Sequence, residues 1–359
     1  MIPTYEIYCV NTATYLKVEG GSSLADLAAT VYKGLPPDEA PICARVNNKT
    51  ENLGFVIYSP KQVEFLDAST PSGKRVYTRS LCMMLYRAVV KLLPDTRLNI
   101  EHSISRGYYC RIFDLKGNAI EVTPQMVLDL KKEMERLRDA DFPFVRHERL
   151  TTDVIKIFRS QHLFSKVALL ETLKELYTIY YELDGIADSY YGPLAPSTGH
   201  LKIFDLQPFK DGFLMLGPDP EKRGEAAQPL VQEKMYHAFT DYLKFNRVIR
   251  VENVGELNRV VKERNTGELI NVAEAMHDKL LGRISDTIAQ RREFNEARIV
   301  LLAGPSSSGK TTTCKRLAVQ LMTNLIVPKM ISLDDYFVDR DKTPRDADGN
   351  YDYEALEAI

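Results

Sequence analysis

The pattern that most constrains this chain is a glycine-rich turn between an apolar run and a helix-forming segment. Residues 299–303 read Ile-Val-Leu-Leu-Ala, short and apolar enough for a buried strand. Gly304, Pro305, Ser306, Ser307, Ser308, Gly309, Lys310, Thr311 and Thr312 follow, and residues 312–324 carry a helical pattern. Strand, glycine-rich turn and helix is the context in which such a turn cradles phosphate. Glycine lets the backbone wind tightly enough for successive N–H groups to point inward at phosphate oxygens. In that arrangement Lys310 neutralises β- and γ-phosphate charge, and the Thr311 hydroxyl holds Mg²⁺. The loop predicts a site for a nucleoside triphosphate, ATP or GTP, with Mg²⁺ as its metal.

At 359 residues the chain has room for two or three domains. Its 44% apolar and 27% charged residues describe packed cores rather than disorder. A net charge of −2 gives no global attraction to nucleic acid or an anionic membrane, leaving only local basic faces. No apolar run is long enough to span a bilayer, and the opening Met-Ile-Pro-Thr-Tyr-Glu has neither region of a signal peptide. Cys9, Cys43, Cys82, Cys110 and Cys314 are odd in number and scattered, against a disulfide framework or a zinc knuckle. These features place the chain in a reducing cytoplasm.

Four segments are expected. Residues 1–68 predict a β-grasp: paired strands at 5–10 and 14–18, a helix after the capping box Ser23–Asp26, and strands at 42–46 and 63–66. Residues 69–227 are α+β, with helices predicted over 81–93, 123–137 and 167–181. Residues 228–297 read as a charged helical connector without chemistry of its own. Residues 298–359 begin an α/β unit, in which 328–333 is a second strand. Asp334 and Asp335 lie at its carboxyl end, where open α/β sheets place their ligands.

The first half resembles the N-terminal half of threonyl-tRNA synthetase. Residues 63–67 (Val-Glu-Phe-Leu-Asp), 107–109 (Gly-Tyr-Tyr), Thr123-Pro124 and 192–199 (Gly-Pro-Leu-Ala-Pro-Ser-Thr-Gly) stand in that family's order and near its spacing. The resemblance implies a TGS-like β-grasp followed by an editing-like domain. That family's His-x-x-x-His pair falls here on Arg79 and Met83, and its Cys-x-x-x-His pair on Tyr190 and Leu194. Arginine cannot serve as a neutral imidazole, and leucine offers no donor or acceptor. The fold is therefore expected without the hydrolysis. Tyr177, Tyr180, Tyr181, Tyr190 and Tyr191 are candidate stacking faces for nucleic acid. The first three sit at helical spacing and are expected to pack instead, so nucleic acid is disfavoured as a partner. Lys74, Arg75, Arg79 and Arg87 are read as a solvated face.

The last segment resembles the uridine kinase and phosphoribulokinase group of P-loop kinases, on residues 304–312 and 332–337 (Ser-Leu-Asp-Asp-Tyr-Phe). Carried over, Asp334 is the general base on a nucleoside 5′-hydroxyl, and Lys310 acts on the phosphates. Tyr336 and Phe337 then line the nucleoside pocket, and Asp352 binds the ribose. The whole arrangement resembles the bacterial fused uridine kinases. The expected function is ATP-dependent phosphorylation of uridine or cytidine. The family's later acidic residue and lid arginines have no counterpart, so these 359 residues are expected to be an inactive fragment of such a kinase. The alternative is an RNA- or nucleotide-binding regulatory module with a vestigial kinase segment. A GTPase switch is a third reading, but no Asn/Thr-Lys-x-Asp motif supports it. Acceptor identity, ATP against GTP and oligomeric state stay open.

Overall fold

A computed structural model of the chain describes residues 2–33, 40–222, 224–263, 265–294, 296–305 and 307–359. The chain falls into two compact units, Met1–Lys262 and Glu263–Ile359.

The first unit opens with a five-stranded sheet. Strands β1 (Thr4–Cys9) and β2 (Thr14–Glu19) precede helix α1 (Leu24–Val31), and β3 (Cys43–Val46), β4 (Lys49–Glu51) and β5 (Lys61–Leu66) follow, in the order β2-β1-β5-β3-β4. The central β1 and β5 run parallel, while the outer pairs are antiparallel. Alternation sends Ile7, Cys9, Val63 and Phe65 into a core closed by Leu24, Leu27 and Ala28 of α1. The capping box forms as expected: Ser23 Oγ accepts from the Asp26 amide, and Asp26 accepts from the Ser23 amide at 2.9 Å.

Helix α2 runs over Pro71–Leu92, ten residues earlier than the apolar spacing indicates. Thr70 caps it, its hydroxyl accepting from the Gly73 amide, and Pro71 stands in the first turn. Strands β6 (Thr96–Ile104) and β7 (Gly107–Asp114), helix α3 (Pro124–Ala140), strand β8 (Val145–Leu150) and helices α4 (Thr151–Ser160) and α5 (Phe164–Thr172) come next. Then follow β9 (Tyr177–Leu183), β10 (Ile186–Asp188), β11 (Asp205–Phe209), β12 (Gly212–Leu216) and helices α6 (Glu233–Val248) and α7 (Val254–Lys262). The strands make two antiparallel sheets, β11-β12-β7-β6 and β10-β9-β8. One face of the four-stranded sheet (Cys110, Ile112, Phe213, Met215) packs with α2 and α3 through Val76, Leu81, Met84, Val127, Leu130 and Met134. The opposite face presents Tyr109, Leu214 and Leu216, with Tyr236 of α6 packed against them.

The helix expected over 167–181 is not formed. Helix α5 ends at Thr172, and the Tyr-Thr-Ile-Tyr-Tyr run at 177–181 is the start of β9. Aromatic and β-branched residues fit a pleated surface better than a helix, and pairing with β8 and β10 settles the segment as a strand.

The second unit contains helices α8 (Thr266–Glu293) and α9 (Lys310–Thr323), and no strand forms among its described residues. The two expected strands at 299–303 and 328–333 are therefore not formed; Leu301 is 89% exposed and Met330 54%. A parallel pair needs apolar cover on both faces. Helix α9 packs against α8 instead, burying Leu317, Ala318 and Leu321. Asn324 Nδ2 donates to Ser285 Oγ and Asp286 Oδ1, both at 2.9 Å, and fixes that pairing. The expected start of an α/β kinase domain is reduced to a loop and helix on a helical partner.

Candidate functional site

Two places carry the residues singled out from the sequence. In the first unit, α2 delivers Arg79 and Met83 to the loop after β10, which holds Tyr190 and Leu194. The structure brings these four positions together. Arg79 Nη1 donates to the Tyr191 carbonyl at 3.0 Å and Nε to the Pro193 carbonyl at 3.2 Å. Ser80 Oγ accepts from the Ala195 amide at 2.8 Å and tightens the same seam. Gly192 has φ +122°, and a Cβ there would stand 2.9 Å from the Arg79 guanidinium carbon. Glycine is what allows the backbone to lie this close to the arginine. Met83 and Leu194 are fully buried in the main core.

Around Tyr190 the interior is polar: its cation is paired, while the neighbouring Tyr86 hydroxyl is buried with no hydrogen-bond partner among the described residues. Lys166 of α5 ion-pairs with the buried Asp188, donates to the Ser189 carbonyl at 2.7 Å, and sits 4.8 Å from the Tyr190 ring centroid. Burial, and then the Asp188 charge, pushes the Cys82 thiol up to about 12. The same two causes hold the Tyr190 hydroxyl well above its ordinary value. Neither group is ionised near neutrality, so neither is a nucleophile or base. This seam is thus filled by a tethered guanidinium, two apolar side chains and an ion pair.

Of the five tyrosines read as candidate stacking faces, Tyr180 and Tyr181 are buried and Tyr190 is partly so. Tyr177 and Tyr191 are exposed, at 55% and 84%. Of the basic group on α2, Lys74 and Arg75 face outward. Arg79 is tied to the loop, and Arg87 pairs with Asp184 at 2.8 Å. The expected solvated face is therefore only its first two members.

The second place is the glycine-rich turn. Gly309, at φ +82°, caps α9 in the left-handed conformation, and Ser307 is also left-handed at φ +60°. Lys310 Nζ donates to the carbonyls of Gly304 at 2.7 Å and Pro305 at 2.9 Å, so the turn winds around the ammonium. A Cβ on Gly304 would meet Ser308 Oγ at 2.8 Å, so a larger residue there would turn the serine hydroxyl aside. Thr311 and Thr312 are exposed in the first turn of α9, whose leading N–H groups have no intrahelical partner. Ser306 lies outside the described residues. Asp334 and Asp335 sit on an exposed 3₁₀ turn, Leu333–Tyr336, rather than at a strand end. Phe337 meets Tyr353 edge-on at 6.2 Å, and Asp352 accepts from the Glu354 amide at 3.0 Å. Among the described residues no hydrogen bond or ion pair joins Asp334 or Asp352 to the turn.

No family model matches this chain. Among curated proteins it is similar to the threonine–tRNA ligase of Desulforamulus reducens, 30% identical over 187 residues, which is 52% of this chain and 28% of that protein. It is likewise similar to the threonine–tRNA ligase of Citrifermentans bemidjiense, 26% identical over 221 residues (62% and 32%). The corresponding ligase of Syntrophomonas wolfei is 28% identical over 213 residues (59% and 31%). The chain spans less than a third of the length of these relatives.

These similarities support the synthetase-like part of the reading and not its fusion to a uridine kinase. The nucleoside kinase expectation is corrected: the relatives are named ligases of threonine and tRNA, an enzyme class other than kinase. Uridine or cytidine as partner, and a place in pyrimidine salvage, fall with it. The relatives' printed names put tRNA with those proteins, whereas the tyrosine spacing here had disfavoured nucleic acid as a partner. No helix among the described residues is long and apolar enough to cross a membrane.

Proposed function

We propose that this chain is an RNA-binding module that recognises tRNA through its first unit and does not hydrolyse what it binds. The observation that carries the reading is the similarity, over 52–62% of the chain, to proteins named for their action on tRNA. The β-grasp at 1–68, the editing-like part at 69–227, the helical connector at 228–297 and the phosphate-loop segment at 298–359 are its parts. Tyr177 and Tyr191 are the stacking faces, because they are the candidate rings left at the surface. The five cysteines are all free thiols, which supports a cytoplasmic setting.

The turn at 304–312 serves in this reading as a nucleotide site for ATP or GTP. Lys310 and the first amides of α9 meet the phosphates, and Thr311 holds Mg²⁺. Support comes from the wound backbone at Gly304, Ser307 and Gly309 and from the ammonium held at its centre. Asp334, Tyr336, Phe337 and Asp352 have no acceptor to serve here.

Fluorescence anisotropy of labelled tRNA, titrated with the full chain at two salt concentrations, tests the RNA reading. Saturable binding that weakens steeply with salt is expected. Tyr191→Ser should weaken it by roughly 5- to 150-fold, the value of one stacked base. Absence of saturable binding at micromolar protein in low salt overturns the proposal. Loss of Mg-ATP binding in Lys310→Ala, by calorimetry, tests the turn.

A further inference from the structure

Helix α6 covers the outer face of β7 loosely, with no fully buried residue of its own. Beneath it lies a cavity of about 280 Å³ lined by Tyr109, Arg111, Asp211, Tyr236, Lys244 and Arg247, among others. Its wall is cationic and aromatic. Asp211 is the carboxylate of the wall, and it is already engaged. It accepts from the Tyr109 hydroxyl and from the Tyr236 hydroxyl at 3.3 Å, and pairs with Arg111 Nη2 at 2.8 Å. Burial opposes its ionisation, yet the Tyr109 bond and the Arg111 charge hold it below the usual carboxylate range.

The cations have acidic neighbours too, but Arg111 keeps a donor to spare. Arg111 Nε is buried and has no hydrogen-bond partner among the described residues. The Arg111 guanidinium stands 4.9 Å from the Phe113 ring centroid and that of Arg247 5.8 Å from the same ring. Two like charges are therefore gathered at one ring. Arg247 has Glu252 at 3.4 Å, and half its side chain is exposed. Lys244 has Asp241 at 3.3 Å and is largely in solvent. Glu101 lies beside both arginines, and burial draws it toward its neutral form. A buried guanidinium N–H without an acceptor is costly, and an anion seated between two guanidinium groups supplies that acceptor.

We propose that this cavity is a binding site for a phosphomonoester no larger than a nucleoside monophosphate, its phosphate held by Arg111 and Arg247. Planar guanidinium forks match phosphate oxygens in pairs, which a single ammonium does not. The volume lies at the lower edge of small-molecule sites, roughly 300–1,000 Å³, and has no room for a nucleoside triphosphate. The Tyr236 ring, packed edge-on against Tyr109 and Phe209 at 5.7 Å each, offers a rigid apolar wall to the rest of the ligand. The phosphate source is a free nucleotide or the 5′-phosphate of an RNA end, and the chemistry is the same for both. The proposal does not depend on the tRNA reading.

The test is isothermal titration of the full chain carrying Lys310→Ala, which silences the phosphate loop, with AMP and UMP. Micromolar to millimolar binding is expected, weakened by at least about tenfold in Arg247→Gln and in Arg111→Met. Arg247 is half exposed, so its variant folds and decides the matter should Arg111→Met not fold. A 5′-phosphorylated RNA oligonucleotide that outbinds its 5′-hydroxyl twin only while Arg247 is present assigns the same site to an RNA end. No binding of any of these probes at millimolar concentration overturns the proposal. So does binding of undiminished strength in Arg247→Gln.

Discussion

Replacing Gly192 by alanine is the sharpest probe of how the synthetase-like site has been closed. The substitution acts twice. It forces an L side chain into φ +122°, a strain on the order of 1–3 kcal/mol, and it places a Cβ 2.9 Å from the Arg79 guanidinium carbon. The guanidinium must move, and its two bonds to the Tyr191 and Pro193 carbonyls are lost. Each is a charge-assisted bond in a half-exposed place, worth about 1 kcal/mol after solvent screening. The expected total is about 3–5 kcal/mol. Arg79→Met alone removes the two bonds and costs about 2 kcal/mol. In the double variant the same two bonds are lost only once, so the two costs should fall short of additivity by about 2 kcal/mol. The chain has two compact units, and a single global transition is a poor readout. Hydrogen exchange at the Ala195 amide, which donates to Ser80 Oγ beside the loop, reports the local opening free energy directly. Costs that add to within about 0.5 kcal/mol would refute the idea that Gly192 is shaped by Arg79.

Other expectations follow from the same packing. With its thiol near 12, Cys82 should react with iodoacetamide at neutral pH far more slowly than Cys314, and equal labelling by peptide mass spectrometry would contradict its assignment as inert. Glu133 joins α3 to α2 through Lys91 at 2.9 Å and also binds Arg136; burial opposes its charge, but those partners hold its carboxyl below the usual value. That stabilisation is present above the unfolded carboxylate range near pH 4 and is lost as pH falls through the lower folded value. Glu133→Gln should therefore cost about 1 kcal/mol at pH 7 and progressively less toward pH 3, seen as converging melting temperatures. Thr70→Ala removes the cap of α2 and should cost about 1 kcal/mol in urea unfolding, whereas Thr70→Ser should restore most of it.

What the sequence carried and what it hid divide along physical lines. The β-grasp was legible because each of its decisions is local: alternation in β1 and β5, a capping box at Ser23, and positive-φ turn residues at Asn47 and Asn48. The seating of the β11–β12 hairpin beside β7 was not, since that pairing joins residues more than 100 positions apart, as Tyr109 meets Leu214. Periodicity cannot announce such partners. The tyrosines of β9 fell at helical spacing by coincidence, and only the ladder with β8 distinguishes strand from helix there. The phosphate turn was legible as a backbone conformation, through Gly309 and Lys310, but its flanking strands were not secured by it. A motif fixes a few dihedral angles, whereas a strand needs a covered face, and α9 gives its apolar face to α8. The cavity under α6 carried no signal at all, because Arg111 and Arg247 meet at Phe113 only in the folded chain.

The closure of the synthetase-like site decides where binding can occur. Met83 and Leu194, at two positions where the resemblance to the synthetase family implies ligands, are core, each fully buried and so worth roughly 1.5–3 kcal/mol of burial. Arg79 spends two donors on the chain's own carbonyls, and Lys166 spends its charge on Asp188. Both cations of this interior are thus committed to holding the fold. A ligand must therefore be met outside that interior, and the loop that Arg79 ties down carries Tyr191 on its outer side with 84% of its surface free. The Arg79 bonds tie down the backbone that carries this ring, and a ring on a tethered backbone loses less conformational freedom on stacking than one on a mobile loop. Arg79→Met should then weaken tRNA binding although Arg79 itself touches no ligand. Tyr191→Phe, which keeps the π face, should bind as the native chain does. A Tyr191→Phe loss as large as that of Tyr191→Ser would place the contact on the hydroxyl and remove stacking from the account.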